Sequence, residues 1–279
     1  MNIFDTHNTH QQLLRALMNQ GHYIFNSTTA KQIATQHGIA QSNITRSLAT
    51  LVKQGWLIRL KRDLFAGTGQ LPGRFTIPPF AIATHLVNPS AISHWSALHY
   101  YGFTEQIPHK ITAITPKKIT FPTQYQSNKQ KPSNKHIWEV SGLYYEYIRV
   151  KPSQFFGIQT IWLDEYFSVS ITDKERTLLE LLTAIRYFGG IGEILGILET
   201  ALSDINIATL IQYALDYNNA AVIKRLGWIL DYFSSHTSEI ELLYHYPIKG
   251  YRVLDPTKPK IGHYNKRWMI IDNITGHAR

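Results

Sequence analysis

The chain has 279 residues, with 28 Lys and Arg against 19 Asp and Glu for a formal charge of +9, and it has no cysteine. That length suits about two domains, and the absence of cysteine excludes disulfides and thiolate metal sites and fits a reducing cytoplasm. No apolar run reaches the roughly 18 residues of a membrane span. The opening MNIFDTHNTHQQLL also lacks the basic-then-apolar order of a secretory signal, so a cytoplasmic protein without membrane contact is expected.

The charge is uneven. Residues 1–74 carry eight Lys and Arg against only Asp5 and Asp63, which leaves +6, while the other 20 basic and 17 acidic residues leave +3. A small basic module beside a near-neutral larger one suggests a nucleic-acid partner for the first part. A solvated basic face has the same composition.

The predicted elements follow in chain order. Residues 9–20 place Leu13, Leu14, Leu17 and Met18 at one-face helical spacing, and Gly21 stops that helix. Tyr23–Phe25 reads as a short strand. A second helix follows, with Ser27, Thr28 or Thr29 as N-cap, Ala30, Ile33 and Ala34 inward, and Gly38 at its end. After a tight turn, a third helix of about 12 residues buries Ile44, Leu48, Leu51 and Val52 and ends at Gly55. WLIRLKRDLFAG (56–67) then alternates as strand, basic tip and return strand. This order is that of a winged helix-turn-helix. LPGRFTIPP (71–79) marks a boundary by its Pro and Gly, giving a DNA-binding domain over 1–74 and a second domain over 75–279.

The second part opens with two helical stretches, PPFAIATHLV and SHWSALHYYG, the latter with Ser93 as cap and Gly102 as stop. From about 111 to 172 it turns β-rich, with ITAIT, LYYEYIRV and YFSVSIT around a polar stretch (124–136) read as a hairpin tip. Helices dominate from 173. The tail 251–272 reads as two extended pieces around a Pro-rich loop. The fold class expected is α+β: a winged helix-turn-helix followed by a mixed α/β domain with a β-rich middle and several helices.

In a helix-turn-helix, the N-terminal residues of the second motif helix reach base edges in the major groove. Here the outward residues at that end are Gln41, Ser42, Asn43, Thr45 and Arg46. Asn or Gln pairs with adenine and Arg with guanine, which makes Arg46 the leading candidate for a specific base contact. Lys31, Lys53, Arg59, Lys61 and Arg62 are expected on phosphates, where they position the protein without reading sequence. Neutralising about four to six phosphates predicts a slope of about −4 to −5 in log K against log salt. A winged helix used for protein contact is the alternative.

Elsewhere the chemistry is sparse. Thr172 and Glu175 fit a capping box before an apolar helix, although Asp173 and Glu175, with Asp164 and Glu165, could be read as nuclease metal ligands. Gly227 inside a helix implies close approach of another element, since glycine there otherwise costs about 1 kcal/mol. Lys224, Arg225, Lys258, Lys260, Lys266 and Arg267 could form a second basic patch for a partner or nucleic acid, or simply a solvated face. Trp95, Trp228 and Trp268 read as core. His7 and His10 read as surface residues. The 13 histidines show no metal spacing, and no Gly-rich phosphate loop, GxSxG or paired-carboxylate site appears. No catalytic residue, metal or cofactor is expected.

SHWSALHYYGFTEQIP (93–108), ITDKERTLLELL (171–182), GGIGEI (189–194), KRLGWILDYF (224–233) and LDPTKPKIGHYNKRWMI (254–270) resemble, in this order, stretches of the AbiEi-type antitoxins. These are the antitoxins of the AbiE (type IV) abortive-infection toxin–antitoxin systems. With the N-terminal module, the resemblance spans nearly the whole chain. It implies two tasks: repression of the protein's own operon through inverted repeats in double-stranded promoter DNA, and neutralisation of a cognate nucleotidyltransferase-type toxin, with direct toxin contact left open. One departure is at the wing, where Arg62-Asp63-Leu64-Phe65 stands in place of Arg-Gly before the aromatic strand. Asp tolerates the left-handed turn but weakens phosphate contact at the tip. Two further readings are a winged-helix regulator with a ligand-sensing second domain and a metal-dependent nuclease guided by the winged helix.

Overall fold

A computed structural model describes residues 3–68, 77–119, 136–140, 142–235 and 238–274. Most of the expected polar tip at 124–136 and of the 71–79 boundary lies outside them, while His136 begins a strand.

The N-terminal part begins with α1 (Ile3–Asn19), β1 (Ile24–Phe25) and α2 (Ser27–Gln36). A 3-10 turn at Gln41–Asn43 leads into α3 (Ile44–Lys53), and the hairpin β2 (Leu57–Lys61)/β3 (Leu64–Gly67) follows. Leu13 and Leu17 of α1, Ile33 of α2, and Ile44, Leu48 and Leu51 of α3 are buried together as one small core. Val52 is only half-buried against it, and Ser47 takes an inward place, where its hydroxyl meets His10 Nδ1 at 2.9 Å. His10 is therefore a structural partner and not the surface residue expected. The N-cap of α2 is Asn26, one residue before the three candidates, and its side chain accepts from Thr29 N. Gly38, at φ +69°, follows the helix in the left-handed conformation that a side chain would disfavour.

β1 pairs with β3 and β3 with β2, all antiparallel. The hairpin turns at Arg62-Asp63, and Asp63 adopts φ +60°, the left-handed turn anticipated for Asp.

The remainder is built on one six-stranded sheet in the order β6-β7-β5-β4-β9-β8. Its strands are β4 (Ala91–Ile92), β5 (Lys110–Thr115), β6 (His136–Val140), β7 (Leu143–Arg149), β8 (Ile158–Trp162) and β9 (Ser168–Thr172). Two pairings are parallel, β5 with β7 and β4 with β9, and the rest antiparallel. α4 (Pro79–Leu86), with Pro at its first turn where no N–H is needed, covers one face through Ala81, Ile82 and Leu86. Leu60, Leu64 and Ala66 from the back of the β2/β3 hairpin join this same buried cluster, beside Ala113, Tyr145 and Tyr147. Tyr23 adds ring contacts to Tyr166 and Phe167 at 5.0 and 5.6 Å. The hairpin is thus packed onto the sheet layer.

The other face meets α5 (His94–Tyr100) and a helical layer of α6 (Lys174–Thr183), α7 (Ile191–Ala201), α8 (Ile207–Tyr217), α9 (Ala220–Tyr232) and α10 (Ile240–His245). The tail forms β10 (Arg252–Val253), β11 (His263–Asn265) and β12 (Ile270–Asp272), a small sheet of three strands where two extended pieces were expected. α6 is capped by Asp173, whose Oδ1 accepts from Arg176 N. Thr172 is still in strand β9, and Glu175 accepts from Asn206 N, so the capping-box reading fails by one residue. The fold is mixed α+β.

Candidate nucleic-acid interface

Packing of α3 fixes which of its residues can face outward. With Ile44, Ser47, Leu48 and Leu51 buried, Thr45 and Arg46 are exposed, as are Gln41, Ser42 and Asn43 on the preceding turn. The helix proper is 10 residues long, so the three polar residues sit on a 3-10 turn and not on the helical first turn expected. Gln41 is also partly engaged, because its amide donates to Thr35 Oγ1 on α2.

Two grooves border this surface. One, of about 380 Å³, lies between the start of α2, α3 and the hairpin, and it gathers Thr45, Arg59 and Arg62. The other, of about 680 Å³, runs along α2 and gathers Lys31 and Gln41 with Thr28, Gln32 and Thr35. The first brings a helix residue and both hairpin arginines to one cleft. The second shows a polar run on α2, with Thr28 and Gln32 exposed, that sequence reasoning passed over. Its i, i+4 spacing on the face opposite Ile33 was the available signal. Lys53 is exposed at the end of α3.

Asp63 sits exposed at the hairpin tip, and its carboxylate accepts from Ser27 N at 3.0 Å. The hydrogen bond from Ser27 holds its carboxyl below the ordinary Asp range, aided by Lys31 and Arg62. The acid therefore occupies a free N–H at the start of α2, where the helix dipole also favours negative charge.

Lys61 is a correction. Its Nζ donates to Leu86 O at 2.5 Å, and burial first, then Lys117, lowers its ammonium from the ordinary lysine range. The alternation of β2 breaks at a bulge between Arg59 and Lys61, which turns the lysine toward α4. It fastens the hairpin to the rest of the chain and is not placed for a phosphate.

The second basic patch is likewise dispersed. Lys224 is buried, and its Nζ donates to Leu243 O and Tyr244 O, the last carbonyls of α10. Burial lowers its ammonium. Arg225 donates to Val253 O and Leu254 O and so ties the tail to α9. Both adjacent cations thus find backbone acceptors. Arg267 pairs with Asp231 and Glu241. Lys258, Lys260 and Lys266 remain exposed.

Three of the four acids weighed as nuclease ligands are spent on structure. Asp164 accepts from Tyr166 N and Phe167 N at a hairpin turn. Asp173 caps α6 and accepts from Tyr213 OH, and Glu175 holds Asn206. Among the described residues no three His, Asp or Glu gather in a way that could hold a metal ion. No helix there is long and apolar enough to cross a membrane.

The chain is thus α+β, with a polar, cationic helix-and-hairpin surface on its N-terminal part. No family model matches the chain, and no curated protein does either. Among solved structures, the RV2827C protein from Mycobacterium tuberculosis has a similar fold, with a TM-score of 0.63 at 14% identity over 95% of this chain and 92% of that one. The likeness is one of architecture along nearly the whole length of both chains.

Proposed function

We propose that this protein is a DNA-binding transcriptional autorepressor and antitoxin with no enzymatic activity. On this reading residues 1–74 form a winged helix-turn-helix that docks on double-stranded DNA. α3 enters the major groove, and Arg46 reads a base edge while Asn43 and Thr45 lie beside it. Arg59, Arg62, Lys31 and Lys53 sit on phosphates.

The observation that carries the proposal is the groove holding Thr45, Arg59 and Arg62 together beside exposed Arg46. A reading helix and a cationic wing must share one face to straddle a duplex, and these residues do. The centre of a protein-contact patch is enriched in aromatic side chains, and none of the outward residues Gln41, Ser42, Asn43, Thr45 and Arg46 is aromatic.

The antitoxin half rests on the five AbiEi-like phrases. Several of their residues have packing roles. Asp255 Oδ2 accepts from Ile191 N at the start of α7, and Gly227 admits Trp268. Such constraints help explain why phrases so spaced would recur together in one fold. The operator is inverted repeats in the protein's own promoter, the second partner is a nucleotidyltransferase-type toxin, and the setting is the cytoplasm.

Co-expression with the neighbouring gene tests the pair of tasks. Wild-type protein and the Arg46→Ala variant should both rescue growth, while only wild type represses a promoter fusion. Loss of rescue in Arg46→Ala at equal protein level would contradict the division of labour.

A further inference from the structure

The six-stranded sheet leaves part of one face open, and that face carries a buried polar cluster for which DNA binding has no use. On β5, Lys110 and Thr112 point to the side opposite Ile111 and Ala113, and the register sets Thr112 directly across from Glu146 on β7. Glu146 is only 4% exposed. Its Oε2 accepts from Lys110 Nζ at 2.6 Å and from Tyr187 OH at 3.0 Å. An acid at a mid-sheet position is costly to bury unless it is paired, and here one cation and one phenol neutralise it.

In front of this cluster lies a cleft of about 430 Å³, walled by Trp95, Tyr187, Ile107 and Pro108, floored by Thr112 and Lys110, and edged by the polar Gln106 and His109. That size and lining, apolar with a few converging polar groups, is typical of small-molecule sites. Its walls are held in place. Trp95 packs on Phe188 with ring centroids 5.0 Å apart, and Tyr187 packs edge-on against His94. His94 is itself pinned by Glu180 through both its backbone N–H and its ring.

We propose that this cleft binds a small planar aromatic acid, a ligand class that the DNA-binding reading neither requires nor supplies. The ring lies in the slot between Trp95 and Tyr187, under Ile107. The ligand's carboxylate accepts from Lys110. The polar arithmetic sets this class. Lys110 gives one of three N–H donors to Glu146, keeps about a third of its side chain exposed, and meets no other acceptor among the described residues. Tyr187 OH, already donating to Glu146, accepts from the buried Thr112 Oγ1 at 3.4 Å, so the threonine hydroxyl is engaged. The spare donors are therefore those of the Lys110 ammonium. An apolar ligand would strip water from them without replacement, and a cationic one would face Lys110 after Glu146 is already satisfied. Ile107 is 77% exposed, an apolar side chain left at the rim where a bound ring would cover it.

The test uses the full-length protein with indole-3-carboxylate and benzoate as probes and benzylamine as the charge-inverted control. Binding is read by saturation-transfer NMR and by the rise in melting temperature with ligand concentration. Fragments of this size bind at about millimolar Kd or tighter when a site fits them. Both acids should bind at or below about 10 mM, and benzylamine at least tenfold more weakly. Ile107→Glu alters an exposed residue, so the fold persists, and it sets a carboxylate against the acid. Lys110→Met removes the ammonium that the carboxylate meets, and its melting curve checks that the fold survives loss of the Glu146 pair. Each should raise Kd about tenfold, as expected for a lost or opposed charge-assisted hydrogen bond. The proposal fails if neither acid binds in that range, if benzylamine binds as well, or if Ile107→Glu leaves Kd unchanged. None of these results depends on DNA binding.

Discussion

Gly227 stands mid-helix in α9, where alanine would ordinarily stabilise by about 1 kcal/mol. Here it should do the reverse. A Cβ at this position would lie 2.1 Å from Cζ3 of Trp268, far inside van der Waals contact. The indole has no route of escape. It is fully buried, its Nε1 donates to Asp231 Oδ2 at 2.6 Å, and the Arg267 guanidinium lies 5.2 Å from its ring centroid. Overpacking a rigid core site costs roughly 1–3 kcal/mol, and so close an approach belongs at or beyond the upper end. After the helix gain is subtracted, Gly227→Ala should destabilise by about 2 kcal/mol, a fall in Tm of roughly 4–8 °C for a domain of this size. Circular dichroism melts of both proteins give the number. Because the cost belongs to the pair, Gly227→Ala should be milder in a Trp268→Leu background, a coupling that a double-mutant cycle reads. A Gly227→Ala protein as stable as wild type would refute the close-approach argument.

Lys61→Met should leave the DNA salt slope unchanged, whereas Arg59→Ala and Arg62→Ala should each reduce it by about 1; equal effects of all three would return Lys61 to the phosphate set. Removing Glu180, which is buried between His94 and Arg176, strands a buried guanidinium, so Glu180→Ala should cost about 3–5 kcal/mol in urea unfolding, and a cost under 1 would show the cluster to be slack. Asp63 has a folded pKa below its unfolded value, so its contribution to stability is present above the ordinary Asp range and is lost as pH falls through the folded pKa. The stability gap between wild type and Asp63→Ala should accordingly shrink on acidification through that window, and a gap constant with pH would contradict the Asp63–Ser27 bond.

Periodicity made the helices legible. Leu13, Leu17, Ile33, Ile44, Leu48 and Leu51 were all placed inward by spacing alone, and all are buried. Left-handed glycines and Asp63 marked the turns, because few other residues adopt that backbone cheaply. What escaped were contacts between distant segments. Lys61 meets Leu86, Arg225 meets Val253, and Asp63 meets Ser27, and no local pattern encodes which carbonyl or N–H a long side chain will find. One short strand escaped for a related reason. β4 has only two residues, and it exists through its partners β5 and β9. The candidate interface was legible as a set of residue types on one helix and one hairpin. The cleft at Trp95 was not, since it requires Thr112, Glu146 and Tyr187 to be brought together from far along the chain.

The central claim is that α3 reads DNA sequence, and one titration addresses it most directly. Wild-type and Arg46→Ala full-length protein are titrated in mobility-shift assays against the promoter's inverted repeats and against random duplex at one salt concentration. The proposed reading predicts that wild type prefers the promoter and that Arg46→Ala gives up about 1–3 kcal/mol of that preference, with weaker loss on random DNA. Equal affinity of wild type for both duplexes, or an unchanged preference in the variant, would contradict it.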